Sequence, residues 1–252
     1  IAPRKRESWP RAVESCRAAG WDPYLFVEPG VGVVSKRVVT RPKTIAKRMF
    51  SRLGKAGRFG ALQNYMQALA DTLAAEPDAD WILYAQDDCY FPPGTKEFLE
   101  SFHWPADAGL VSLWCPSGMG YIHQTAGLAL TPEPRIIGAI AYMMPRATAQ
   151  MLVSSSVMKT WRGVNKRQTG SDRQTLDMAT GLAVEAAGDK SRYFTRSVVD
   201  HFEPVRNNSS IGNGQIKGFR RSYRYAGDKA TARQTHKLFP SHPIHVVIPA
   251  FE

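Results

Sequence analysis

An α/β fold built on an open central sheet is predicted for this chain, and two stretches carry the prediction. The first is Trp81-Ile-Leu-Tyr-Ala-Gln-Asp-Asp-Cys-Tyr-Phe91, an apolar run that meets two adjacent carboxylates and stops at Pro92-Pro93-Gly94. It reads as a buried strand delivering charge to its carboxyl end. The second is the stretch from Gly60 to Ala74, in which Leu62, Met66, Leu69 and Leu73 recur at helical spacing. A helix there feeds the strand through Glu76-Pro77-Asp78. In an open α/β sheet the carboxyl ends of strands form the ligand crevice, and hard oxygen ligands for a divalent cation are the usual reason to place acids there. The competing account of Asp87 and Asp88 is a solvated turn ahead of Pro and Gly.

Composition sets the bounds. A chain of 252 residues, 43% hydrophobic, is long enough to bury a sizeable core in one domain. No apolar run approaches the ~18 residues of a membrane span and no secretion signal opens the sequence, so a soluble, cytoplasmic protein is expected. Three cysteines, Cys16, Cys89 and Cys115, lack metal-ligand spacing and are expected as free thiols in a reducing compartment. The net charge of +11 is local. Nine basic residues and no acid lie between Lys36 and Arg58, among them Lys36, Arg37, Lys47, Arg48, Arg52, Lys55 and Arg58. A second basic stretch, from Lys217 to Lys237, interleaves Arg220, Arg221 and Arg224 with Phe219, Tyr223 and Tyr225. Cations mixed with π-faces suit a polyanion, nucleic acid first and anionic lipid or glycan second.

Taken in order, Arg11 to Ala19 is predicted as a helix that Gly20 ends, and Tyr24 to Val27 as a strand ending on Glu28. Residues 35–59 form a basic insertion with one short amphipathic helix, and its Gly54-Lys55-Ala-Gly57-Arg58-Phe-Gly60 could approach phosphates closely without being a P-loop. Thr95 to Phe102 reads as a helix and Ala108 to Trp114 as a buried strand. Cys115 to Arg135 is an irregular loop, and a strand from Gly138 runs into a helix that opens on Pro145-Arg146. Thr169 onward is a capped helix with Ser171 or Asp172 as N-cap and Leu176, Ala179 and Leu182 inward. The last strand of this part runs from Arg192 to His201 and precedes Asn207-Asn-Ser-Ser-Ile-Gly212.

From Pro3 to about Gly212 this order of elements resembles the GT-A glycosyltransferases. The resemblance rests on the helix-to-acid-strand unit ending at Asp88, the Gly138-Ala junction with Pro145-Arg146, and the strand ending at His201 before Ser209-Ser210. It implies a Rossmann-like fold: a mixed, mostly parallel central sheet flanked by helices, in a single domain over 1–214. Residues 215–252 would pack on it as a basic aromatic extension. The family's first buried strand would stand just before Pro3-Arg4, leaving Ile1 and Ala2 as its remnant or the strand outside this sequence.

The resemblance also assigns roles. Asp88 and His201 would ligate Mn2+, or Mg2+ in its place, and Asp87, Glu28, Gly60, Asn64, Arg146, Ser209 and Ser210 would contact a nucleoside-diphosphate sugar, UDP-sugar favoured. In an inverting hexosyl or pentosyl transfer, Asp172 would be the base and Asp177 the second candidate; capping alone is the structural account of Asp172. The chain departs from the family's Asp-any-Asp motif at its first acid, which is Gln86 here, so the ribose contact loses its usual acid while Asp88 keeps the metal-ligand position. The basic segments favour DNA as acceptor, a hydroxymethylated pyrimidine in a phage-type genome, with the enzyme then in the bacterial host cytoplasm. The alternatives are a glycan, lipopolysaccharide or protein acceptor, and an inactive transferase fold that binds nucleic acid.

Overall fold

The computed structural model describes residues 8–27, 38–40, 61–115, 130–132, 136, 138–161, 176–194, 197–201 and 244–249. Helix α1 (Ser8–Ala18) presents Ala12, Val13 and Cys16 to the core. It ends as the sequence predicts: Gly20 takes φ +98, and the Gly20 and Trp21 amides donate back to the Arg17 and Cys16 carbonyls (2.9 and 3.1 Å). Only a residue without a Cβ takes that left-handed cap easily.

The chain continues through β1 (Tyr24–Val27), β2 (Val38–Thr40), α2 (Ala61–Ala75), β3 (Trp81–Ala85), β4 (Cys89–Tyr90), α3 (Thr95–Ser101) and β5 (Ala108–Ser112). After β6 (Leu130–Pro132) and β7 (Ala141–Pro145) come helices α4 (Arg146–Ser154), α5 (Ser156–Thr160) and α6 (Leu176–Ala186). Strands β8 (Lys190–Phe194), β9 (Asp200–His201) and β10 (Ile244–Pro249) complete the described elements.

The main sheet is eight-stranded and mixed, in the order β2-β1-β10-β3-β7-β5-β8-β6. Strands β2, β1, β10, β3, β5 and β8 run one way, and β7 and β6 run against them. Successive side chains of a strand point to opposite faces, and here both faces are covered. Leu83, Ala85, Ala141 and Met143 join Val13, Cys16 and Leu99 on the α1 and α3 side. Ile82, Tyr84, Tyr142 and Met144 join Tyr65, Leu69, Leu152 and Val184 on the side of α2, α4 and α6. This two-sided burial explains why the strands read as unbroken apolar runs. Pro132 fits its place on the edge strand β6, where an absent amide breaks no interior ladder.

The strand expected to deliver the acids is present: Trp81–Ala85 forms β3, the acid pair follows it, and Cys89–Tyr90 pairs elsewhere as β4. Two expectations are corrected. The stretch Arg192 to His201 is two strands, because Val198 leaves the sheet direction to donate its amide to the Leu113 carbonyl (2.8 Å). Finally, Ile244–Pro249 is not part of an appended extension but an interior strand, parallel to β1 on one side and β3 on the other. Its Ile-His-Val-Val-Ile run has the composition of a buried parallel strand.

Candidate functional site

Strands β1, β10, β3, β5 and β8 point their carboxyl ends to one edge of the sheet, and the acid pair stands there. The turn that carries the acids is closed by the Cys89 amide donating to the Gln86 carbonyl (3.1 Å), so Asp87 and Asp88 hold the two corner positions. Turn corners are ordinarily solvated. Here Asp87 is 0% exposed and Asp88 7%. That burial removes the solvated-turn account, since a carboxylate taken out of water requires compensating charge or hydrogen bonds.

The turn is anchored on its sheet side by the Gln86 amide, which donates to the Ile140 carbonyl at the start of β7 (2.8 Å). Beyond the turn, β4 pairs antiparallel with β9 in a separate two-stranded ladder, Cys89 opposite His201 and Tyr90 opposite Asp200. The backbone of His201 is thereby brought next to Asp88, from the far end of the sequence. Ser197 fixes the approach to this ladder, accepting from the Cys115 amide (2.9 Å) and donating to the Cys115 carbonyl (3.1 Å). Sequence reasoning missed Ser197, whose partner lies 82 residues away and leaves no spacing signal.

Asp177, on the first turn of α6, reaches the same edge. Its Oδ2 accepts from the Gly138 amide (2.8 Å) and its Oδ1 from the Met178 amide (2.9 Å). Gly138 has φ +85, and a Cβ there would stand 2.3 Å from Cζ3 of Trp114, so the indole fills the space a side chain would need. On the helical side below the turn lies a bank of tyrosines. Tyr65 meets Tyr84 edge-on at 4.6 Å, and Tyr84 stacks on Tyr142 at 5.6 Å, all three fully buried. Burial raises the pKa of Tyr84 and Tyr142 well above the phenol range; Asp87 and Asp88 add to the rise at Tyr84, and Asp177 at Tyr142. Asn64 is buried on the N-terminal part of α2, the end of that helix turned toward the acid edge.

Arg146 stands apart from this group. Its amide donates to the Asp80 carbonyl (2.8 Å), which places it at the amino end of β3, about 17 Å of strand away from the acids. Its guanidinium donates to the carbonyls of Glu76 (2.7 Å) and Leu73 (3.1 Å) at the carboxyl end of α2. The donor contact expected of Arg146 is therefore replaced by a helix-capping role. Asp172, Glu28, Gly60, Ser209 and Ser210 lie outside the described residues, as do Lys36, Arg37, Lys47, Arg48, Arg52, Lys55, Arg58, Arg220, Arg221 and Arg224.

Among the described residues no group of three or more His, Cys, Asp or Glu side chains could hold a metal ion, so a cation at Asp87 and Asp88 would need further ligands beyond this pair. Two hard carboxylates are oxygen donors of the kind Mg2+ or Mn2+ accepts. No described helix is long and apolar enough to cross a membrane. No protein-family model matches this chain, and no curated protein matches it.

Proposed function

We propose that the chain is a metal-dependent glycosyltransferase of GT-A type, transferring a sugar from a nucleoside diphosphate, UDP-sugar favoured, to a hydroxyl acceptor. The observation that carries this reading is the buried acid turn after β3 with His201 brought beside it by the β4–β9 ladder. Asp88 and His201 would hold the cation, with Asp87 beside them. When bound, the ion supplies a counter-charge for the diphosphate leaving group. The protein's own part is to hold that cation at the mouth of the sheet and to bind the donor across the carboxyl ends of β1, β10 and β3. Asp172 would take the proton from the acceptor hydroxyl in an inverting transfer. For the acceptor we favour hydroxymethylated DNA, on the strength of the two basic segments in the sequence.

The test is sugar-nucleotide hydrolysis and transfer with Mn2+ across UDP- and GDP-sugars, with and without hydroxymethylated DNA, for wild type and Asp88→Ala. Turnover that needs Mn2+, is lost in the variant and rises with modified DNA supports both donor chemistry and acceptor. Turnover indifferent to DNA keeps the transferase and removes the acceptor. No turnover with any donor removes the enzyme reading.

A further inference from the structure

We propose that Asp177 is a positioning residue for the acid turn, acting through Gly138, and not the base that takes the acceptor's proton. The inference rests on the reading of Asp87 and Asp88 as the cation-holding pair. Each carboxylate oxygen of Asp177 accepts from a backbone amide, Oδ2 from Gly138 (2.8 Å) and Oδ1 from Met178 (2.9 Å). A base needs an oxygen directed at the acceptor hydroxyl. Asp177 instead directs both oxygens at backbone amides, tying the first turn of α6 to the entry of β7.

What that tie controls follows from the next few residues. Gly138 is pinned from the other side by Trp114, whose ring stands 2.3 Å from where a Cβ would be. Two residues on, the Ile140 carbonyl receives the Gln86 amide (2.8 Å), and the Gln86 carbonyl closes the acid turn through Cys89 (3.1 Å). One residue further, the Ala141 carbonyl receives the Leu113 amide (3.0 Å), so the segment cannot shift without moving the neighbouring strand. Asp177, Gly138, Ile140 and Gln86 form a continuous run of hydrogen bonds and short backbone from α6 to the carboxylates. Outer contacts of this kind orient metal-binding groups and matter almost as much as the groups themselves.

The role needs an acceptor at the position of Oδ2 and does not need its charge. This separates the proposal from base catalysis, because an asparagine Oδ1 can still receive the Gly138 amide while it cannot take up a proton at neutral pH.

The experiment compares the wild-type chain with Asp177→Asn, Asp177→Ala and Gly138→Ala. Mn2+ is titrated alone and followed by electron paramagnetic resonance, circular dichroism monitors folding, and turnover is measured alongside. Asp177→Asn is expected to keep Mn2+ affinity within about twofold, while Asp177→Ala and Gly138→Ala weaken it by about 10- to 100-fold. If Asp177→Ala does not fold, the contrast between Asp177→Asn and Gly138→Ala decides alone. The proposal is overturned if Asp177→Asn abolishes turnover with Mn2+ affinity intact, the signature of a base, or if folded Asp177→Ala and Gly138→Ala bind Mn2+ as wild type does. Should wild type itself bind no Mn2+, the transferase reading fails. Amide exchange at Gln86 and Cys89 then judges the relay: faster exchange in Asp177→Ala and Gly138→Ala but not in Asp177→Asn supports it, and equal exchange in all four refutes it.

Discussion

Arg146→Met is expected to destabilise the fold without weakening binding of the proposed donor nucleotide. The arginine makes two charge-assisted hydrogen bonds to the last carbonyls of α2, at 2.7 and 3.1 Å, and its positive charge lies against the negative end of that helix. Bonds from a charged donor contribute about 1.5–3 kcal/mol each when buried. These are only partly buried and share one side chain, so the pair together is worth about 2–3 kcal/mol rather than the full sum. Methionine keeps most of the apolar stem and removes the guanidinium, so packing loss is small. For a chain of this size that free energy lowers Tm by roughly 4–12 °C. Calorimetric melting checks the stability, and titration with UDP and Mn2+ checks the site. Arg146→Lys, which can reach one carbonyl, should fall between the two. An unchanged Tm together with weakened UDP binding would refute the capping role and return Arg146 to the donor site.

Three further outcomes follow from the buried groups and one exposed pair. Burial pushes the Cys16 and Cys89 thiols far above their ordinary range and Cys115 up to about 12, so none should react with a thiol reagent at pH 8 until denaturant is added; labelling of the native protein would contradict their burial. Tyr142→Phe removes a fully buried hydroxyl that has no hydrogen-bond partner among the described residues, so its unfolding free energy should be unchanged or rise by up to about 1 kcal/mol, and a clear loss in urea titration would reveal a partner. Asp107 is held below its ordinary 3.8 by hydrogen bonds from Lys190 and Arg192. Its contribution is present above that pH and lost as the pH falls through the lower folded value, so Asp107→Asn should narrow the difference in Tm between neutral and strongly acid solution; an unaltered difference would show that solvent screens the cluster.

Much of the framework was written in local pattern. The α1 stop at Gly20, the periodicity of α2 and the apolar run of β3 each rest on interactions within a few residues, and all three appear where spacing puts them. The acid turn was legible as well, because carboxylates directly after a buried run are locally anomalous. What escaped depends on distant partners. The split of Arg192–His201 into β8 and β9 is dictated by Leu113 and Cys115, and the interior place of Ile244–Pro249 by two strands far upstream. Arg146 misled for a related reason: Pro-Arg at a helix start looks the same whether the guanidinium faces a ligand or caps another helix. Asp177 could not be separated from a base by sequence, since its use is decided by a glycine amide on another element.

The β4–β9 ladder consists of two residue pairs, Cys89 with His201 and Tyr90 with Asp200, set apart from the main sheet. So short a ribbon has little cohesion of its own. Any ligand that bridges the Asp88 side and the His201 side would therefore act as its rivet. By mass action, a ligand at a hundred times its Kd would add about 2.7 kcal/mol to the joined form. Loading the mouth of the sheet and stiffening it would then be one event.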